Sequence, residues 1–302
     1  MSGKQVTELE KLTEFNDDCI VPTHNGVGLK KGTIGDLSEY LGTKFSNPNL
    51  LINPDFNINQ RGSTVYDYST QSSEKYTVDR WRCNYLKVTP SDSGVTLEAT
   101  SNNGYFTQQL ENEVEGIHTM SFEVSEIIGT VVCTLSNSNG YNKKISVTKT
   151  GVFSLELEMV KKVQFYLPKG SKCKIVWTKL ENGINRTKFI KPNSSEEILK
   201  CRFFYRKINI DDKIVICLGY NVYIYFDNLS MRTPTITLKN KDGYEQLNLM
   251  NLKNITVLNS ISYWSRLSNT CIAINTNFNN TTDIFITYVG GAHILELDAE
   301  IY

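Results

Sequence analysis

Strict alternation of apolar and polar residues is the feature that most constrains this chain. Met120, Phe122 and Val124 are separated by polar residues. Phe153, Leu155, Leu157 and Met159 alternate with Ser154, Glu156 and Glu158, and Val163, Phe165 and Leu167 repeat the pattern. A period of two puts one set of side chains in a core and the other in water, which is strand chemistry. Turn clusters separate the runs, such as Asn102-Asn103-Gly104 and Ser138-Asn139-Gly140. Several short strands with turns between them predict an antiparallel sandwich over residues 48–190.

The flanks read differently. Residues 1–47 carry Asn25-Gly26, a hairpin turn pair. Thr33 then caps a short helix, with Asp36 three residues on and Leu37, Tyr40 and Leu41 on one face. So little apolar surface cannot build a core alone, so this module is expected to dock on something else. Lys191-Pro192-Asn193-Ser194-Ser195 marks a boundary. Ser194 and Glu197 form a capping box, and Ile198, Cys201, Tyr205 and Ile208 continue at helical spacing. From about residue 212 the chain returns to strands rich in Val, Ile, Thr and Tyr, among them VYIYF, TITL, CIAI, IFITYV and HILELDAEIY.

A chain of 302 residues has room for two domains and a smaller module. Lys plus Arg is 32 and Asp plus Glu is 32, so the basic excess expected of a nucleic-acid binder or a polybasic membrane anchor is missing. Seven cysteines, an odd number with no C-x-x-C pair, argue against a zinc knuckle or a disulfide frame. Cys133, Cys173 and Cys217 lie in apolar runs and read as small buried hydrophobes. MSGKQVTELEKL lacks the apolar stretch of a secretory signal, and the longest apolar run, Ile127 to Leu135, is too short to span a membrane. The expectation is synthesis in a cytoplasm, with export by lysis or as part of a particle.

NLLINPDFNINQRG, followed at a distance by YTVDRW, resembles the opening of the carbohydrate-binding-module-like jelly roll of phage and prophage tail fibres. The closing IVWTKLENGINRTKFIKP, the helix SSEEILKCRFFYRKI, and the later MRTPTITL and LDAEIY resemble the same fibres. Upstream, TELEKLTEFNDDCIVPTHNGVGLKKGTIGDLSEYL resembles their attachment segments. The resemblance implies an all-β chain: a jelly-roll β-sandwich at 48–190 and a second β-sandwich head at 191–302. A short N-terminal α/β module at 1–47 would attach to a phage tail or baseplate. It implies a homotrimeric receptor-binding protein of a phage tail or tail-like bacteriocin, adhering to a bacterial surface glycan or surface-layer protein. It also implies that the protein is carried on a virion tail or tail-like particle, with no nucleic-acid partner and no membrane insertion. A surface-polysaccharide depolymerase and a purely structural baseplate protein are the alternatives.

Related modules often hold a structural calcium between their first and near-last strands, where this chain places Asp55 and Glu181. Trp81, with Asp79, Arg80 and Arg61, could form a sugar platform, but the motif reads more readily as a core tryptophan with an ion pair at its edge. Glu296, Asp298 and Glu300 alternate along a strand and read as a solvent face rather than a glycosidase pair. His24, His118 and His293 have no metal-ligand spacing. With no nucleophile or nucleotide motif, the chain is expected to be non-enzymatic. Receptor contact is expected in the C-terminal region, at Tyr263, Trp264 and Arg266 and at Tyr220 and Tyr223, residue types that dominate binding hot spots.

Overall fold

The computed structural model describes residues 20–24, 29–33, 46–209, 214–225, 235–239, 247–250, 255–258, 261–268, 271–287 and 294–298, with side chains at Thr33 and over 46–206. Within these residues the chain is all-β apart from one helix. The N-terminal hairpin pairs β1 (Ile20–His24) with β2 (Leu29–Thr33) in antiparallel register, His24 opposite Leu29. The helix expected after Thr33 lies outside the described residues.

The sandwich is built on two long strands, β8 (Gly104–Ile128) and β11 (Gly151–Leu167), which pair with each other along most of their length. In the front layer the order is β4 (Lys75–Tyr76), β5 (Arg82–Asn84), the first third of β8, the end of β11, β9 (Val131–Ser136) and β10 (Asn142–Val147). In the back layer the start of β11 and the rest of β8 continue through β12 (Lys172–Asn182), β7 (Gly94–Glu98), β6 (Lys87–Ser91) and β3 (Tyr66–Asp67).

The strands change layer at a bulge. Register slips on either side of Val160, and Met159 takes φ 60. Between the Glu158–Ile117 and Lys162–Gln109 pairs β11 advances four residues and β8 eight, so the extra residues lie on β8, and the inward phase of β11 shifts at Val160. Met159, expected inward after Leu157, is therefore half-buried, and Val160 takes the core position at 0% exposure. Beyond the slip Val163, Phe165 and Leu167 point inward as the alternation predicts.

Aromatic rings fill the interior. Trp81 stacks on Phe106 at 4.9 Å, Phe56 lies 5.2 Å from Trp81, and Phe122 meets Phe165 edge-on at 5.1 Å. Cys133 and Cys173 are free and buried, as expected, and burial pushes both thiols up, Cys173 to about 12. The side chain of Cys217 lies outside the described residues.

The linking helix α1 spans Ser194–Arg202. Its cap is Asn193, whose side chain accepts the Ser195 amide at 2.9 Å, so the Ser194–Glu197 capping box does not form. Glu197 is instead turned into the protein. The helix also stops well short of Ile208. Tyr205 opens β13 (Tyr205–Asn209), so the buried spacing is Glu197–Cys201 alone.

Two sheets follow. β13 and β15 (Thr235–Lys239) flank β20 (Ile294–Asp298). The second sheet orders β14 (Ile214–Tyr225), β19 (Cys271–Thr287), β16 (Leu247–Met250) and β17 (Ile255–Leu258), with β18 (Ile261–Ser268) also on β19. Among the described residues no helix is long and apolar enough to cross a membrane.

Candidate functional site

Trp81 is fully buried, and its Nε1–H donates to the Asn53 carbonyl at 3.0 Å. It therefore fills the core and cannot reach a ligand. The polar residues around it hold the chain leaving the sandwich. Asp79, also fully buried, accepts the Gln60 amide at 3.1 Å and the Gln60 side-chain N–H at 2.6 Å, with Arg61 at 3.7 Å. Gln60 also donates to the Tyr205 carbonyl at 2.8 Å. The Arg61 guanidinium lies 3.8 Å over the Tyr205 ring, and that of Arg80 lies 3.7 Å over Phe204. Glu197 accepts the Asn53 amide at 2.6 Å. The QRG and DRW motifs thus act as a latch that fixes α1 and the first residue of β13 to the sandwich.

The calcium expectation fails a test of fit. Both Glu181 oxygens are engaged: Oε1 accepts the Thr187 amide at 2.9 Å, and Oε2 takes the Thr187 hydroxyl and the Lys179 ammonium, the latter at 3.1 Å. Lys179 is 1% exposed and also donates to Ser46 Oγ at 3.0 Å, Thr187 Oγ1 at 2.5 Å and the Lys188 carbonyl at 3.0 Å. A protein cation sits where a metal would need an open carboxylate. Asp55 has separate partners, the Asn57 side chain and Lys191 at 3.6 Å. Among the described residues no three His, Cys, Asp or Glu are grouped to hold a metal ion. His118 is buried with Nδ1 against the Gly116 carbonyl.

The outer face of the front layer is a different kind of surface. A cleft of ≈ 590 Å³ runs across it, lined by side chains of β8, β9, β10 and β11 and by the turn at 137–140. Strand register sets them in rows. One row runs Ser146, Val132, Tyr166, Tyr105, and the next Lys144, Thr134, Gln164, Thr107. The third is Asn142, Ser136, Lys162, Gln109. Tyr105 and Tyr166 are half-buried with ring centroids 5.2 Å apart, forming an aromatic end to a polar floor. The floor is pre-ordered: Gln164 donates to Thr107 Oγ1 at 3.1 Å, and Arg82 donates to Gln109 Oε1 at 2.9 Å. At the rim, Asn137 Oδ1 accepts the amides of Asn139 and Tyr141 at 3.1 and 3.0 Å. The signal for this site lay in the alternation itself, since Tyr166 and Tyr105 occupy wet positions beside Phe165 and Phe106.

The C-terminal residues singled out from sequence fall on two neighbouring strands of β19. Trp264, Ile274 and Val222 form one cross-strand row, and Ser265, Ala273 and Tyr223 the next. Arg266 pairs with Ile272, and Tyr263 with Asn275. Tyr220 lies in β14 where its register to β19 slips, between Gly219 and Asn221. The side chains of all five lie outside the described residues. Glu296 and Asp298 lie in β20, and Glu300 is outside the described residues.

No protein-family model matches the chain, and no curated protein matches it. Solved structures align with part of it. The module TmCBM61 in complex with beta-1,4-galactotriose shares 16% identity over 45% of this chain and 99% of its own, at a TM-score of 0.29. BiXyn10A CBM1, in its apo form, shares 13% over 42% and 100%, at 0.28. A putative sugar binding protein from Bacteroides thetaiotaomicron shares 14% over 45% and 100%, at 0.27. These neighbours are carbohydrate-binding modules or sugar-binding proteins by name.

Proposed function

We propose that this chain is a glycan-binding adhesin whose jelly roll reads a polysaccharide along the outer face of its front layer. The observation that carries this is the Tyr105–Tyr166 pair at the end of a floor of amide, hydroxyl and ammonium groups. Aromatic rings give a sugar an apolar face to lie on at little entropic cost, and the fixed polar groups match its hydroxyls. Among the described residues no carboxylate lines the cleft, and glycoside hydrolysis uses a pair of them, so we read the cleft as adhesive.

The resemblance in sequence supports a finer reading: a homotrimeric receptor-binding protein of a phage tail or tail-like particle, joined to it through residues 1–47. Three copies of a weak site would raise avidity by roughly 10²–10⁴. Two measurements test this. Light scattering on the full chain should give about three times 34.3 kDa. Fluorescent full-length protein should adsorb to bacterial cells of a susceptible strain and lose that adsorption in Tyr105→Ala/Tyr166→Ala. Unchanged adsorption of that variant would move the receptor site elsewhere, with Tyr263, Trp264 and Arg266 next in line.

A further inference from the structure

We infer that the ligand of this cleft is a negatively charged polysaccharide, one carrying phosphate, sulfate or uronate groups along its chain. The inference rests on the glycan reading of the same face and adds its ligand class. Among the described residues the lining holds Lys144, Lys161 and Lys162 and no carboxylate, in a chain whose charges balance overall at 32 and 32. Two acidic groups at its edges lie outside the lining, and neither pairs with its lysines. Glu113 Oε1 accepts the Ser138 amide at 2.5 Å, and Glu74 pairs with Arg82 at 2.9 Å on the far side of the floor. Lys161 is held by the Glu111 carbonyl at 2.7 Å, which neutralises none of its charge. Lys144 is exposed and Lys162 half-buried, and among the described residues neither forms an ion pair.

Unpaired cations on the wall of a cleft focus its field and draw in a polyanion, while repelling a polycation. They stand in the first and second rows beyond the tyrosine pair. Lys144 is across from Thr134 and Gln164, and Lys162 is across from Ser136 and Gln109. A sugar stacked on Tyr105 and Tyr166 would continue over the polar floor, bringing acidic substituents of the following residues to these ammonium groups. A neutral glycan would leave them without a counter-charge.

Biolayer interferometry with full-length protein tests this on matched polymers: dextran against dextran sulfate, galactan against polygalacturonate, and poly(glycerol phosphate). At least one charged polymer should bind on the order of tenfold more tightly than the neutral ones, with the arms telling sulfate, carboxylate and phosphate apart. Lys144→Gln/Lys162→Gln should weaken that binding by on the order of tenfold, two charge contacts at the upper end for exposed pairs, and flatten its salt dependence. Lys149→Gln/Lys169→Gln, at exposed positions outside the cleft, should leave it unchanged. If neutral polymers bind equally well, and only Tyr105→Ala abolishes binding, the glycan reading stands and the charge inference fails. If both lysine pairs weaken binding equally, the attraction is non-specific and the inference fails. If no polymer binds, the charge inference and the glycan reading of the cleft fall together.

Discussion

The Glu197 carboxylate accepts the backbone N–H of Asn53 at 2.6 Å, closing a loop of 144 residues. The bond joins the linking helix to the first turn of the sandwich, and both ends are buried. Asn53 is held from the other side too, since its carbonyl takes the Trp81 indole and its amide group donates to Ile58 and Asp79 carbonyls at 2.8 and 3.0 Å. The helix is therefore fixed to the aromatic core through one residue.

Removing the Glu197 acceptor leaves a buried amide with no partner, which costs about 1–3 kcal/mol. Glu197→Ala should lower the urea midpoint accordingly and speed proteolysis within 194–206. Glu197→Gln keeps an acceptor oxygen and should cost less than half as much. Equal urea curves for wild type and Glu197→Ala would show that the latch contributes nothing.

Trp81 separates a ligand platform from a core residue. Trp81→Phe keeps a ring against Phe106 and leaves the Asn53 carbonyl with the Phe56 amide at 3.2 Å but without its indole donor, for a loss of about 0.5–1.5 kcal/mol. Trp81→Ala also opens a cavity, and large aromatic truncations cost roughly 3–5 kcal/mol. Because Trp81 is 0% exposed, Trp81→Phe should bind polysaccharide as wild type does. A folded Trp81→Phe protein with reduced affinity would contradict this placement.

These cases show what sequence made legible and what it did not. The alternation around Phe122 and Phe165 gave the layers, and the Asn25-Gly26 pair gave the first hairpin, because both signals are local. Met159 was misplaced because a bulge is set by two strands changing layer together, which no single strand encodes. Asn193 caps the helix in place of Ser194, and Glu197, which the expected box needs, is engaged by a buried amide 144 residues away. The cleft was missed for a similar reason. Tyr105 and Tyr166 lie 61 positions apart in sequence, and only strand pairing makes them neighbours.

Tyr66 should give an alkaline signature. Burial raises its phenol to about 12, and its hydroxyl donates to Asn59 Oδ1 at 2.5 Å. The folded value lies above the ordinary 10.0, so the folded state holds the proton more tightly than the unfolded chain. The contribution is complete below pH 10 and is lost as pH rises through about 12. Tyr66→Phe should remove this part of the fall in stability. Parallel stability curves for the two proteins from pH 9 to 12 would refute it.

The Lys179–Glu181 pair makes the sharpest claim about metal dependence. Its side chains are 1% and 0% exposed, so breaking it leaves one buried group uncompensated. Lys179→Met should therefore cost about 3–5 kcal/mol, whereas replacing both, Lys179→Met/Glu181→Leu, should recover much of that loss. Burial holds the Lys179 ammonium below its ordinary value of 10.5, against the pull of Glu181. Between the folded and unfolded values the unfolded chain binds more protons, so the penalty for burying the charge is relieved as pH rises through that window. Lys179→Met should lack this gain. Because the ammonium already holds the Glu181 carboxylate, millimolar calcium and excess EGTA should give the same melting temperature for the wild-type chain. A rise with calcium would mean that a metal competes with Lys179 for Glu181 or binds elsewhere, and repeating the melt on Glu181→Gln decides between the two.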